Sequence, residues 1–308
     1  MYGYLNNSTV HHPDFIMTFT LQTIRRPLFT LGLLGLAVGV VAMTSACTIM
    51  REEGANRLAA PVHMNKRQIE TGSTTLVAYE RVHKQGGIAN VYIEGDGLVL
   101  KGEHQAAPTL DPTPDNPVAL HLATRDQGDN VIYLARTCQY LTIDKNPACD
   151  EKGWAAKRFS VENMDAMNEA LDNMRSKYGF VGFNLIGYGG GGQVAILLGA
   201  KRKDILTIRT VASTLDHQSW TANKEIPALE GSLNAKDFAR DVANIPQHHF
   251  IGAWDDLITT YNYDEFRAAM GPSNCIRMSK IDETDGADGW VNRWPSIMDL
   301  PVDCNSNQ

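Results

Sequence analysis

The chain has 308 residues, of which 43% are hydrophobic, 20% charged and 8% aromatic. This is the composition of an ordinary globular protein, and it excludes a disordered or collagen-like chain. Lysine and arginine total 28 against 35 aspartate and glutamate residues, for a formal net charge of -7. Because no basic cluster is longer than Lys201-Arg202-Lys203, we expect no nucleic-acid partner.

The N-terminus has the layout of an export signal. Residues 28–43 are uncharged and apolar, Arg25 and Arg26 precede them, and small residues follow up to Cys47. This pattern predicts a signal peptide over residues 1–46, with Met17 as an alternative translation start because residues 1–16 are polar. A transmembrane anchor is the alternative, although the run is shorter than the ~20 residues that span a bilayer.

The segment Thr44-Ser45-Ala46-Cys47 resembles the lipobox of bacterial lipoproteins, in which the cysteine is acylated and becomes the first residue. The resemblance implies a palmitate-bearing lipid anchor at Cys47 and a protein of the bacterial cell envelope that faces the periplasm. Thr44 stands where a lipobox usually has leucine, so an ordinary cleavage site remains the alternative. Arg25-Arg26-Pro27-Leu28-Phe29 also resembles a twin-arginine export signal.

Four cysteines remain after Cys47, an even number that suits an oxidising compartment. Three pairings are possible, as is a set of four buried thiols. The simplest prediction pairs nearest neighbours, Cys138 with Cys149 and Cys275 with Cys304.

The chain divides into a polar segment over residues 47–72, predicted to be a flexible lipidated tether, and a single domain over residues 73–308. Within this domain, strands alternate with helices in the later half. The β-prone runs are Thr74 to Val82, Asn90 to Ile93, Val118 to Ala123, Asn130 to Leu134, Phe183 to Tyr188, Ile205 to Ala212, His248 to Ala253 and Ile276 to Ile281. The helical patterns begin at Ser160 and at Gln193, and also cover Ala235 to Ala243 and Tyr261 to Met270.

This order predicts an α/β sandwich, with antiparallel strands at its start, a mostly parallel central sheet and flanking helices. The helix that Ser160 caps has apolar residues along one face and ends at Gly179.

One predicted strand runs through the glycines Gly187 to Gly192 into an apolar helix. A strand, a glycine turn and a helix are the setting of the nucleophile elbow, G-x-S-x-G. Here the chain resembles the α/β-hydrolase superfamily, specifically its bacterial esterase and lipase-like members with an elbow of the form G-Y-S-G-G-G. Gly189 stands at the position of the nucleophile serine.

The resemblance extends through the rest of the predicted triad. The segment around Asp255 matches the loop that carries the triad acid, and Gly286 stands where relatives have the histidine in D-H-x-x-G-W. Because an attacking serine needs an imidazole to take its proton, glycine at both positions predicts a lost hydrolase site. Gly189, Asp255 and Gly286 are therefore former triad positions, and we expect no catalytic residue among them.

A binding function remains open to such a site. Backbone N–H groups at Gly189 and Gly190, where the helix begins, predict a site for an anion or carboxylate. A second donor is expected at Thr137 and Cys138, in the position of the family's oxyanion loop. Cys138 as a substitute nucleophile is the alternative to its disulfide.

The remaining motifs give weaker predictions of function. Gly187, Gly189 and Gly192 satisfy G-x-G-x-x-G, but no acidic strand end follows about 20 residues later, so a dinucleotide site is disfavoured and no cofactor is expected. His217 is interpreted as a surface or hydrogen-bonded loop histidine, with a histidine that faces the pocket as the alternative. The neighbours His248 and His249 point to opposite sides of a strand, so no metal site is predicted there.

The sequence therefore predicts a lipid-anchored pseudoenzyme with the α/β-hydrolase fold, acting as a binding, scaffold or assembly subunit with a protein partner in the envelope. The alternative is an active esterase or lipase-type hydrolase with a rearranged nucleophile.

Overall fold

The structure is a computed structural model that describes residues 48–101, 107–141, 146 and 149–304. The predicted signal peptide, the alternative start at Met17 and the predicted lipidation site Cys47 lie outside the described residues. None of the helices in the described part of the chain is long and apolar enough to cross a membrane.

The main sheet has eight strands within the described residues. They are Asn65–Glu70 (β1), Thr75–Val82 (β2), Ile88–Ile93 (β3), Asn130–Leu134 (β6), Gly182–Tyr188 (β7), Ile205–Val211 (β8), Gln247–Gly252 (β9) and Ile276–Ile281 (β10). Their spatial order is β1-β2-β6-β3-β7-β8-β9-β10. Strand β2 is antiparallel to both β1 and β6, and all later pairs are parallel. A separate two-stranded sheet pairs Leu100–Lys101 (β4) with Ala107–Pro108 (β5).

Helices cover both faces of this sheet, and each side buries its own apolar cluster. They are residues 48–59 (α1), Val118–Ala123 (α2), Glu151–Trp154 (α3), Val161–Tyr178 (α4), Gly190–Lys201 (α5), His217–Asn223 (α6), Thr260–Met270 (α7) and Trp290–Ile297 (α8). A 3-10 turn also covers Ala235–Phe238. The predicted α/β sandwich with antiparallel strands at its start is confirmed.

Helix α4 follows its sequence signals closely. The Ser160 hydroxyl accepts a hydrogen bond from the Asn163 backbone N–H, and the chain leaves the helix at Gly179 with φ 69°. Such a left-handed residue favours glycine because a Cβ is strained there. The apolar face, including Met167 and Leu171, is buried against the sheet.

The predicted flexible tether over residues 47–72 is wrong for its described part. Residues 48–59 form α1, and residues 65–70 form the edge strand β1, which pairs in register with β2. Ala55, Ala59 and Ile69 are buried, so this segment packs on the domain. Strand β1 lies at the edge of the sheet and buries only one side chain, so its sequence is mostly polar and lacks the apolar alternation that predicts a strand.

Two further predictions are corrected. Val118–Ala123 is the buried helix α2, not a strand, because a six-residue apolar run has no periodicity that separates the two. The helix predicted over Ala235 to Ala243 is a 3-10 turn at Ala235–Phe238 followed by turns.

Candidate functional site

A cavity of about 760 Å³ lies at the carboxyl ends of the central parallel strands. The turns after β3, β7, β9 and β10 all contribute to its wall, which is where open α/β sheets bind ligands. Gly189, Asp255 and Gly286 line this one cavity, so the structure brings the three predicted triad positions together.

The turn between β7 and α5 has the backbone of a nucleophile elbow. Gly189 has φ 52° and ψ -124°, a strained conformation that glycine adopts at little steric cost. A Cβ at Gly187 would lie 2.3 Å from the Gly191 oxygen, and one at Gly191 would lie 2.3 Å from the Ile93 oxygen. By contrast, a Cβ at Gly189 would meet only the Gly95 Cα, at 3.7 Å. Packing therefore requires glycine at positions 187 and 191, whereas position 189 has room for a Cβ.

Asp255 follows β9 and is 7% exposed. Its Oδ1 accepts hydrogen bonds of 2.8 Å from the backbone N–H groups of Leu257 and Ile258, while its Oδ2 is buried without a partner. Burial raises the pKa of the Asp255 carboxyl, and the nearby charges of Asp285 and Asp256 raise it further. One oxygen of this carboxyl group is thus satisfied by its own loop, and the other is free.

Gly286 follows β10 and lies opposite that free oxygen. A Cβ at Gly286 would lie 3.8 Å from Asp255 Oδ2, an ordinary contact distance. The Tyr188 hydroxyl donates a 2.7 Å hydrogen bond to the Gly286 carbonyl, which ties the loop to the elbow strand. A side chain at position 286 would therefore reach the Asp255 carboxylate, as the triad histidine of a hydrolase does.

The predicted oxyanion loop at Thr137 and Cys138 is corrected. Neither residue lines the large cavity, whereas the turn Glu94-Gly95-Asp96-Gly97 after β3 does. Strand β3 lies beside the elbow strand β7, and β6 lies one place further away, so the turn after β3 reaches the pocket first. The signal that sequence analysis missed is the pair of glycines directly after this central strand.

Asp96 occupies the space that was predicted to bind an anion. A Cβ at Gly190 would lie 2.0 Å from Asp96 Oδ1, which places this carboxylate against the start of α5. Arg136 and Arg158 pair with it at 3.1 and 2.9 Å. Burial raises the pKa of Asp96, but the two guanidinium groups outweigh burial and hold the pKa below its ordinary value. The chain's own carboxylate therefore lies where an external anion was expected.

Cys138 forms a disulfide with Cys149, and Cys275 forms one with Cys304, so both predicted pairings are confirmed. Cys138 consequently has no thiol in this structure. Thr137 lines a separate cavity of about 10 Å³ with Arg136 and Arg158.

The histidines singled out in the sequence lie away from the cavity. His217 is buried in α6, where it stacks on Phe159 and its Nε2 lies 3.2 Å from the Leu233 carbonyl oxygen. His248 contacts the Ser279 hydroxyl, and His249 contacts that of Thr210. Within the described residues, no group of three or more histidine, cysteine or acidic side chains is arranged to hold a metal ion.

Glu94 is a buried acid in the cavity wall that sequence analysis missed. Its Oε1 accepts hydrogen bonds from the backbone N–H groups of Gly95 and Ala119, at 2.9 and 3.4 Å. Burial raises its pKa to about 7. This residue follows an apolar strand as a single charge, a pattern common at strand ends, so only the fold shows that it is enclosed.

No protein-family model and no curated protein matches the sequence. Solved structures with a similar fold include the esterase Pf2001 of Pyrococcus furiosus, with a TM-score of 0.55 and 13% identity over 78% of this chain and 92% of that one. A proline iminopeptidase of Mycobacterium smegmatis has a TM-score of 0.50 and 11% identity, over 72% and 91%. An alpha-beta serine hydrolase homologue of Coxiella burnetii has a TM-score of 0.50 and 11% identity, over 76% and 94%. With its strand order and the elbow after β7, the chain has the α/β-hydrolase fold.

Proposed function

We propose that this protein is an α/β-hydrolase-fold pseudoenzyme that binds a ligand or partner at the cavity and has no serine-hydrolase activity. One observation carries the proposal: the described residues that line the cavity include no serine, cysteine or histidine. Acyl transfer by this fold needs a nucleophile at the elbow and an imidazole to take its proton, and both positions are glycine.

The charge beside the elbow supports the same conclusion. In an active hydrolase, backbone N–H groups at the start of the elbow helix stabilise the negative oxygen of the tetrahedral intermediate. Here the Asp96 carboxylate lies against Gly190, at the start of that helix. A carboxylate at this place repels a developing oxyanion, because the two groups carry the same charge.

The alternative, an active hydrolase that uses Cys138, has less support. A disulfide sulfur is not a thiolate nucleophile, and Cys138 lines neither the cavity nor the elbow. Thr214 supplies an aliphatic hydroxyl to the cavity wall, but the described lining residues include no histidine to activate it.

Labelling with a fluorophosphonate probe and turnover of p-nitrophenyl acetate test the proposal. We expect neither label nor turnover for the wild type, and none for Gly189→Ser, because an unactivated hydroxyl is a weak nucleophile. The double variant Gly189→Ser with Gly286→His should become labelled, because the new imidazole can take the proton of the new hydroxyl while Asp255 orients it. Wild-type turnover that Cys138→Ala abolishes would overturn the proposal.

The cellular part of the proposal rests on the sequence. We propose that Cys47 carries the lipid anchor and that the domain serves as a scaffold or assembly subunit of the bacterial envelope. Cys47→Ser should release the protein from the membrane fraction or leave it unprocessed, and should abolish palmitate labelling, with Glu230→Gln at an exposed position as the control. Unchanged labelling would contradict the anchor. Pull-down from detergent-solubilised membranes tests for a stoichiometric protein partner.

A further inference from the structure

Asp255 Oδ2 lies beside Gly286, and the described residues supply no hydrogen-bond donor to it. Asp255 is 7% exposed, and its Oδ2 has no hydrogen-bond partner although the residue lines the cavity. The position from which a histidine would donate is a glycine whose Cβ would lie 3.8 Å from that oxygen. Leaving a buried carboxylate oxygen unpaired costs free energy, which a bound donor would recover.

The charges around this oxygen select a cation. Asp256, Asp285 and Asp288 line the cavity with Asp255, and none of these four carboxylates has a salt bridge within the described part of the chain. Arg158, the lining residue with a positive charge, is paired with Asp96. Lys224 lies nearby, but its ammonium donates to the Asp256 main-chain carbonyl at 2.6 Å. The wall near Asp255 therefore carries four carboxylates against the single ammonium group of Lys224.

Aromatic rings complete the same wall. Trp254, directly before Asp255, lines the cavity and is 65% exposed, and Trp220 and Tyr188 also contribute. Exposed indole faces bind organic cations through the ring quadrupole, and a large apolar side chain left open to solvent marks a contact surface. An amine with an apolar body gains apolar contact with these rings as well as the electrostatic attraction, whereas a hydrated metal ion does not gain that contact.

We propose that the cavity binds a small organic cation whose primary ammonium group donates to Asp255 Oδ2 in the place of the missing histidine, with its apolar body against Trp254. This inference rests on the proposed binding function and names its ligand class. The imidazole donor of a hydrolase is thus replaced by a donor from the ligand.

Calorimetric titration of the intact, oxidised protein with benzylammonium tests the proposal, with benzyl alcohol and benzoate as neutral and anionic probes of similar shape. We expect saturable binding of benzylammonium and much weaker binding of the other two. Asp255→Asn keeps an oxygen for the Oδ1 hydrogen bonds and removes the charge, so it should weaken binding about tenfold or more. Asp264→Asn, at an exposed helical site, is the matched control and should bind as the wild type does.

A second variant protects the test against a folding defect in Asp255→Asn. Gly286→His introduces an imidazole at a position whose Cβ would meet no atom closer than 3.8 Å, next to Oδ2, and should displace benzylammonium without removing any acid. Absence of saturable benzylammonium binding, equal binding of benzyl alcohol, or affinity unchanged by both variants would each overturn the inference. Ester turnover by the wild type would instead overturn the proposed function, so the two failures are distinguishable.

Discussion

The buried Glu94 gives a quantitative prediction about stability. Burial raises the pKa of Glu94 from 4.5 to about 7 in the folded state, while the unfolded chain keeps an ordinary glutamate. Between these two pKa values the folded protein binds more protons than the unfolded chain. The free energy of unfolding therefore falls as pH rises through this window, which is the opposite of an ion-paired carboxylate.

The magnitude follows from the difference between the two pKa values. A difference of about 2.5, at ~1.4 kcal/mol for each pH unit, amounts to a loss on the order of 3 kcal/mol, complete above pH ~7 and absent below pH ~4.5. Glu94→Gln keeps the volume and an oxygen for the N–H groups of Gly95 and Ala119, and removes the charge. We expect this variant to be more stable than the wild type at pH ~8 by that order of magnitude, and equally stable at pH ~4.5.

Urea denaturation at a series of pH values, followed by tryptophan fluorescence, measures both profiles. Glu230→Gln, at an exposed loop position, is the matched control and should run parallel to the wild type. If the Glu94→Gln profile is also parallel to the wild type across the window from pH ~4.5 to ~8, burial does not penalise the Glu94 charge and the reasoning is refuted.

The other predictions concern the elbow, the disulfides and the ion pair. Gly191→Ala should destabilise the protein by about 3 kcal/mol or prevent folding, because its Cβ would meet backbone atoms at close range. Gly189→Ala should cost only about 1 kcal/mol, because its Cβ would make no such contact. Thermal denaturation compares the two variants, and equal losses of stability would contradict the contact argument. Peptide mapping without reduction should recover the linked pairs Cys138–Cys149 and Cys275–Cys304, and four alkylatable thiols would refute this. Removing the first pair by a double alanine substitution should cost about 3 kcal/mol in a chemical denaturation experiment, because the link between positions 138 and 149 restricts the unfolded chain, and no loss would contradict this stabilisation. Asp96→Asn should lower the free energy of unfolding, because it leaves the buried guanidinium groups of Arg136 and Arg158 without a charged partner. The same denaturation experiment compares this variant with Asp264→Asn, and equal stability of the two variants would contradict the pairing.

Local signals made much of this fold predictable. Helix α4 is bounded by a capping serine and a left-handed glycine, both of which act on the nearest turn alone. Gly189, Asp255 and Gly286 are predicted from the resemblance to the hydrolase elbow, the acid loop and the D-H-x-x-G-W segment. They line one cavity because each follows a strand, and the carboxyl ends of parallel strands meet at one edge of the sheet.

The features that the sequence did not predict depend on the order of the strands within the sheet. The turn after β3, not the one after β6, reaches the elbow because the chain places β6 outside β3, and no single residue encodes that reversal. Strand β1 was missed for a similar reason: its pairing with β2 supplies the hydrogen bonds that fix it, while its side chains are mostly polar. Glu94 was overlooked because enclosure depends on α2, which was itself predicted as a strand.

The three predicted triad positions differ in what their side chains do for the fold. Asp255 Oδ1 holds the backbone N–H groups of Leu257 and Ile258, so this carboxylate fixes the loop after β9 whether or not catalysis occurs. At Gly189 and Gly286 a Cβ would make no contact shorter than 3.7 Å, so the fold needs no side chain there. The elbow itself is held by the close approaches at Gly187 and Gly191, which do not involve the nucleophile. The fold therefore does not depend on a side chain at Gly189 or Gly286, whereas loss of Asp255 would release a loop that forms the wall of the cavity.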